Sequence, residues 1–266
     1  LHAPRRACFF NVRKELIMLV KTLSGALLLS TLTLSLQAHA AIALDRTRVI
    51  FNGNEKNVSL NISNENKQLP YLAQGWIEDS SGKKITSPLV LLPPVQRVEP
   101  GERSVVKVQS LPAIKSLPQD RESVFYFSMR EIPPRSEKSN VLQIALQTRI
   151  KLFYRPEAIV VSNPSVVTPW QEKLTLTRKG ARYQLNNPTP YFITLVDAQP
   201  AKGQSLKKSF EPVMVAPKTS IDLGVNAAEL GSAPLLTYIN DYGGRPTLAL
   251  KCAGDSCSVV SNKVEQ

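Results

Sequence analysis

Apolar residues along much of this chain recur at every second position rather than at a helical spacing: Val58, Leu60 and Ile62; Leu174 and Leu176; Ala181, Tyr183 and Leu185; Ile221 and Leu223. Successive side chains of a strand point to opposite faces, so this period marks strands with one face buried. Turn pairs punctuate the pattern, among them Asn52-Gly53, Ser81-Gly82, Pro100-Gly101, Lys179-Gly180 and Gly243-Gly244, and proline recurs throughout, breaking helices and marking edges. No amphipathic helix stands out. The expected class is all-β.

Strands are predicted over Asn57–Ser63, Tyr71–Ile77, Ser104–Gln109, Ser123–Glu131 and Val141–Tyr154, enough for one antiparallel sandwich. A second series follows at Lys173–Thr177, Arg182–Leu185, Phe192–Val196, Val213–Ala216, Leu235–Asn240 and Thr247–Cys252. Two sandwich domains in tandem are therefore expected, over 41–158 and 159–266. The join falls near Arg155-Pro156-Glu157-Ala158 or in the following Ser162-Asn163-Pro164-Ser165.

One run departs from the rest. Val141 to Phe153 contains neither glycine nor proline. As a single strand it would reach about 43 Å, where strands usually run to about 5 or 6 residues. Part of it is expected to lack partners within its own domain. There Leu142, Ile144 and Leu146 alternate with Gln143, Ala145 and Gln147, which suits an edge strand able to pair with another chain. Periodicity alone favours the simpler reading, in which these side chains face their own core.

The first forty residues do not belong to this pattern. Lys21 precedes the run TLSGALLLSTLTLSL, and Ala38-His39-Ala40 supplies the small residues that a signal peptidase accepts, so a secretory signal cleaved after Ala40 is expected. The run is too short and too polar for a bilayer core that needs about 20 apolar residues. Residues 1–17 precede Met18, show no pattern and are set aside as an upstream segment.

Removing 1–40 changes the chemistry available. The net charge of +12 loses five of its 33 basic and one of its 21 acidic groups, leaving 28 and 20, or +8. His2, His39 and Cys8 leave as well, so the exported chain holds no histidine and only Cys252 and Cys257. No Ser-His-Asp or Cys-His arrangement and no histidine-ligated metal is possible without histidine. Neither a metal nor another cofactor is expected, and catalysis is disfavoured, with a carboxylate pair such as Asp120 and Glu122 the one route left open. An isolated cysteine pair in an exported chain is expected as a disulfide, with Gly254 and Asp255 turning the hairpin between them. The pI of 9.7 prompts a nucleic-acid reading, but export and the dispersal of the cations argue against a nucleic-acid partner.

Several long motifs then occur in order: LDRTRVIF, NKQLPYLAQGWIED, PPVQRVEPGERS, LPQDRESVFYFSMREIPPRSEKSNVLQIALQTRIKLFYRPEAI, NPTPYFITL and YINDYGGRP. Together, over nearly all of 41–258, the sequence resembles the periplasmic chaperones of the chaperone/usher pilus pathway. The resemblance implies two immunoglobulin-like domains with a cleft between them and no catalysed reaction. Its implied partners are pilus (fimbrial) subunits, a tip adhesin and the outer-membrane usher, with weak self-association of the free protein through its exposed strand also open.

The same resemblance assigns roles. It places the anchor for a subunit's C-terminal carboxylate at Arg48 in LDRTR and Lys151 in IKLFYRP; by residue type alone these are two cations among 28. It makes Leu142, Ile144 and Leu146 the side chains of a donor strand that completes an unfinished subunit sandwich. Strict alternation puts Lys151 on the opposite face from these three, so a bulge or strong twist between Gln147 and Lys151 is expected. Glu122, Arg155 and Asp241 correspond to an interdomain ion-pair set. Glu131–Asn140, with Pro133-Pro134, Arg135, Glu137 and Lys138, is expected as a short solvated loop. The competing reading is a structural pilus subunit or adhesin, against which two complete strand series and a charged C-terminus argue.

Overall fold

Alternation becomes structure from Ile42 onward. The computed structural model describes residues 41–136, 140–162 and 169–263. The expected signal segment, Glu137 and Lys138 of the loop, and Asn163, Pro164 and Ser165 of the second candidate join lie outside the described residues. The first domain comprises β1 Ile42–Leu44, β2 Arg48–Asn52, β3 Asn57–Asn64, β4 Tyr71–Glu78, β5 Lys84–Ile85, β6 Leu89–Leu92, β7 Val95–Val98, β8 Arg103–Ser110, β9 Ser123–Ile132 and β10 Gln147–Arg155. The second comprises β11 Thr175–Lys179, β12 Arg182–Asn187, β13 Ile193–Gln199, β14 Val213–Val215, β15 Thr219–Asn226, β16 Leu235–Ile239, β17 Thr247–Ala253 and β18 Ser256–Lys263.

The first domain is a sandwich. One sheet runs β1-β3-β8-β6; the other runs β2-β10-β9-β4-β5, with β7 also on β4. Leu60, Ile62, Val106 and Val108 of the first sheet meet Phe51, Ile77, Phe127 and Leu152 of the second, and all are fully buried. Burying each such side chain is worth about 1.5–3 kcal/mol, so the inward positions hold the two sheets together. The eight strands of the second domain follow one hydrogen-bonded path, β14-β13-β16-β17-β18-β11-β12-β15, and its end strands lie against each other. The path thereby folds over a core containing Leu176, Leu185, Leu195, Leu236 and Leu248. The short helix α1, Ala227–Leu230, is capped where the Ala228 N–H donates to Asn226 Oδ1 at 2.9 Å. Cys252 and Cys257 are bonded to each other across directly opposed positions of the β17–β18 hairpin.

Three expectations change. The long strand is shorter: β10 begins at Gln147, and 141–146 take no strand conformation. β9 ends at Ile132 and the β2 pairing reaches back only to Lys151, so among the described residues the one backbone bond from a strand to 141–146 is at its very end, where the Glu131 N–H of β9 donates to the Leu146 carbonyl at 3.0 Å. Nor do its apolar side chains face the core, since Leu142 is 85% exposed, Ile144 66% and Leu146 42%. Finally, Glu131, read both as the last residue of a strand and as the first of the loop, belongs to the strand. It sits buried in β9, where its Oε2 accepts the Ile42 N–H at 2.9 Å.

Candidate functional site

The crossover between β1 and β2 carries the chain from one sheet to the other and positions Arg48. Asp45 pins it, because its Oδ2 accepts from the Asn61 backbone N–H at 3.2 Å and from Asn61 Nδ2 at 2.8 Å. β2 then pairs in parallel with β10. Val49 and Phe51 turn into the core, which leaves Arg48, Ile50 and Asn52 on the opposite face. The register sets Arg48 directly beside Lys151. Two cations distant in sequence thus become neighbours across one strand pair, about 4.8 Å apart at the backbone.

Both reach the second domain. Lys151 Nζ donates to Thr194 Oγ1 of β13 at 3.0 Å, and Arg48 Nη1 donates to the Ile239 carbonyl of β16 at 3.3 Å. Arg48 Nε is buried with no hydrogen-bond partner among the described residues. Burial, and then the adjacent Arg48 charge, hold the Lys151 ammonium below the usual lysine range. Burial likewise lowers Arg48, with Asp241 and Glu122 pulling the other way. Two like charges drawn partly out of water without a counter-ion in contact are unfavourable as they stand, and an anion placed between them would relieve both costs. A cleft of about 450 Å³ opens beside Arg48, lined also by Thr47, Asn52, Val161 and the exposed Tyr242.

Arg155, at the end of β10, lies on the same face and ties the domains together. Its Nη2 lies 2.8 Å from Glu122 Oε1 and its Nη1 3.0 Å from Asp241 Oδ2. The guanidinium also sits over the rings of Tyr191 and Trp170, which stack at 4.3 Å. Glu122 Oε2 accepts the Phe192 N–H of the second domain at 2.8 Å. Burial pushes the Glu122 carboxyl up, to about 7, against the pull of Arg155 and of the Phe192 N–H. Asp120 is paired with Lys218 and Arg121, so both carboxylates once open to a catalytic reading are engaged in ion pairs. Close packing completes the joint. Gly243, at φ 84°, leaves room that a Cβ would fill at 2.6 Å from Thr47 Oγ1.

Arg155→Ala is expected to lower stability by about 3–5 kcal/mol in denaturant unfolding, because it strands the Glu122 carboxyl in the interior. Glu122→Gln should cost less, since an amide oxygen still accepts the Phe192 N–H. Equal losses in the two variants would contradict this ordering.

Residues 141–146 extend from the other end of β10. Gln143 Nε2 donates to the Pro134 carbonyl at 2.7 Å, which ties the segment loosely to the loop. β10 itself pairs with β9 without a register shift from Gln147 to Tyr154, so no bulge separates the two ends of the strand. Instead Ile150, Leu152 and Tyr154 pack on the core while Lys151, Phe153 and Arg155 take the alternate face. Leu142, Ile144 and Leu146 share the parity of the core-facing set. On the β2 side, Gln147–Ile150 has no strand beside it among the described residues.

Thr194, the Ile239 carbonyl and Tyr242 were not singled out from the sequence. Thr194 lies within NPTPYFITL, and Ile239 and Tyr242 within YINDYGGRP, so the motifs contained a signal that the charged residues overshadowed.

Two sandwiches joined by a buried ion-pair cluster, with paired cations in the cleft and an apolar segment held out at a sheet edge, describe a scaffold for binding another chain. The chain belongs to the PapD family of pilus-assembly chaperones: residues 41–160 match the pili and flagellar-assembly chaperone, PapD N-terminal domain, and 169–250 the pili assembly chaperone PapD, C-terminal domain. The chaperone protein PapD of Escherichia coli is 53% identical over 227 residues, covering 85% of this chain and 92% of PapD. The probable fimbrial chaperone YfcS of Escherichia coli strain K12 is 51% identical over 234 residues, covering 88% and 91%. The crystal structure of the periplasmic chaperone SfaE matches with a TM-score of 0.61 at 32% identity, over 78% of this chain and 98% of SfaE. The family consists of pilus chaperones rather than enzymes, and the reading as a structural subunit or adhesin is not favoured.

Proposed function

We propose that this chaperone works in the periplasm after cleavage behind Ala40, through domains spanning 41–158 and 159–266, where it captures pilus subunits and tip adhesins and passes them to the outer-membrane usher. Arg48 and Lys151 hold the subunit's C-terminal carboxylate. The observation that carries this reading is their placement side by side in the interdomain cleft with no carboxylate paired to either among the described residues. A guanidinium and an ammonium at such spacing match one carboxylate, and each is relieved of a like-charged neighbour when it arrives.

Leu142, Ile144 and Leu146 supply the donor strand. When 141–146 becomes extended beside a subunit strand, alternation carries these side chains to the core side of the sheet, where they continue the line of Ile150 and Leu152 into the subunit's open groove. The opposite parity of Lys151 then serves the arrangement, since the cation turns to the cleft while the apolar residues turn to the subunit core. Glu122, Arg155 and Asp241 hold the angle between the domains, and with it the width of the cleft.

Proton linkage offers the test. The free Lys151 ammonium is held low, and a bound carboxylate would raise it, so binding should take up a proton on the alkaline side. Affinity for a subunit with its native C-terminus is therefore expected to be full at neutral pH and to fall as pH rises through the free-state value of Lys151. Calorimetry from neutral to alkaline pH should show that fall. Lys151→Arg should flatten it, and amidating the subunit's C-terminus should weaken binding at every pH. Equal binding of native and amidated subunits would contradict the anchor.

A further inference from the structure

A second charged hollow lies away from the cleft, on the outer surface of the second domain. Along β16 and β17, Leu236, Tyr238, Leu248 and Leu250 point into the core, so the alternate residues Leu235, Thr237, Thr247 and Ala249 face outward. The register places Leu235 against Ala249 and Thr237 against Thr247. Four short side chains thus form a floor, with Ser261 of β18 beside Ala249. Longer side chains surround it: Lys202 just beyond β13, Arg245 before β17 and Lys263 at the end of β18 line the same hollow of about 500 Å³.

Its charge is predominantly positive, three cations against one carboxylate. None of Lys202, Arg245 and Lys263 makes an ion pair among the described residues, and all three are exposed. The one carboxylate in the lining, Asp197, has both oxygens occupied, Oδ1 by the Ala198 N–H at 2.9 Å and Oδ2 by Gln199 Nε2 at 2.7 Å. We propose that this hollow is a docking site for an acidic, extended polypeptide segment of a partner protein, separate from the cleft that holds the subunit.

Dimensions select that occupant. From β13 to β18 the sheet crosses three interstrand steps, about 14 Å, so one phosphate or carboxylate held at the rim would leave most of the floor uncovered. About four residues of extended chain cover the same span and bring several carboxylates to the rim. The Thr237 and Thr247 hydroxyls share one hydrogen bond at 3.2 Å, which leaves the pair one donor and its acceptor lone pairs, and with the Ser261 hydroxyl these can bond peptide groups while Leu235 offers an apolar contact. A membrane surface is flat and would meet the rim cations without filling the floor.

The probe is a short fluorescein-labelled peptide in which glutamate alternates with serine and leucine. It is amidated at its C-terminus so that Arg48 and Lys151 have no terminal carboxylate to capture. Anisotropy with the full mature chain at low salt should show saturable binding. Lys202→Glu combined with Lys263→Glu should weaken it at least about tenfold, by reversing the rim charge. Ala249→Trp should weaken it comparably by filling the floor at unchanged charge, and Arg48→Ala should leave it as in the wild type. Ser261→Tyr, on the neighbouring strand, is a second filling variant, and each variant's melting curve checks its fold. Filling variants that fold and still bind the peptide normally would reduce the site to diffuse attraction by a basic protein and overturn the proposal. So would loss of binding in Arg48→Ala. Binding of vesicles rich in anionic lipid, abolished by the rim substitutions while the peptide does not bind, would assign the surface to a membrane and overturn it equally.

Discussion

Arg48→Ala and Lys151→Ala are each expected to lower affinity for a pilus subunit by about 2–5 kcal/mol, roughly thirty-fold to several thousand-fold, while leaving the chaperone folded. The loss is large because the carboxylate meets its partners in a partly desolvated cleft, and removing either cation leaves the anion half paired. The fold should tolerate the change for the same structural reason that creates the site. Lys151 gives up one hydrogen bond to Thr194, worth about 1 kcal/mol, and Arg48 leaves a position where its buried Nε has no partner among the described residues. Melting curves close to wild type with lost subunit binding would fit this account. Wild-type affinity in either variant, measured with a subunit bearing its native C-terminus, would remove both residues from the anchor.

The second large effect concerns the exposed segment. Ile144→Asp should reduce subunit binding more than about a hundredfold, because it forfeits roughly 1.5–3 kcal/mol of apolar burial and also forces a carboxylate toward the subunit's interior. In the free chain Ile144 is 66% exposed, so the same substitution should change the chaperone's own stability by no more than about 0.5 kcal/mol. Gln143 has the opposite parity and already spends its amide on the Pro134 carbonyl. Gln143→Asp should therefore weaken binding less than about tenfold. Pull-down of one subunit by the two variants gives the comparison, and equal binding by both would sink the donor-strand assignment.

Where alternation coincided with a partner strand, the fold was legible. The segment read as Asn57–Ser63 is β3, and that read as Ser123–Glu131 is β9, each within a residue at its end. The overreach at Val141–Tyr154 has a physical cause: the apolar-polar alternation of 141–146 is that of a strand, but a strand also needs a neighbour to take its backbone hydrogen bonds, and among the described residues β9 reaches only as far as the Leu146 carbonyl. Short strands such as β6 and β7, beside Pro93-Pro94, carry too few positions for a period to emerge. β18 reads SCSVVSNK, too polar on both faces to announce itself.

The site was legible only by resemblance. Arg48 and Lys151 carry no local mark among 28 cations, since their adjacency arises from a parallel register between the first and last long strands of the domain. Glu122, Arg155 and Asp241 are likewise brought together by the tertiary fold. Their aromatic surroundings, Trp170 and Tyr191, could not be read from spacing. The basic hollow over Thr237 and Thr247 gave no sequence signal, because its cations lie on a loop, before one strand and at the end of another.

Strand donation is tested most directly by amide hydrogen exchange of the chaperone alone and in complex with a subunit. The account predicts that alternate amides between Val141 and Ile150, fast in the free chain, slow by at least about a hundredfold in the complex as they enter a ladder with the subunit. Unchanged exchange across 141–150 in a saturated complex would contradict it.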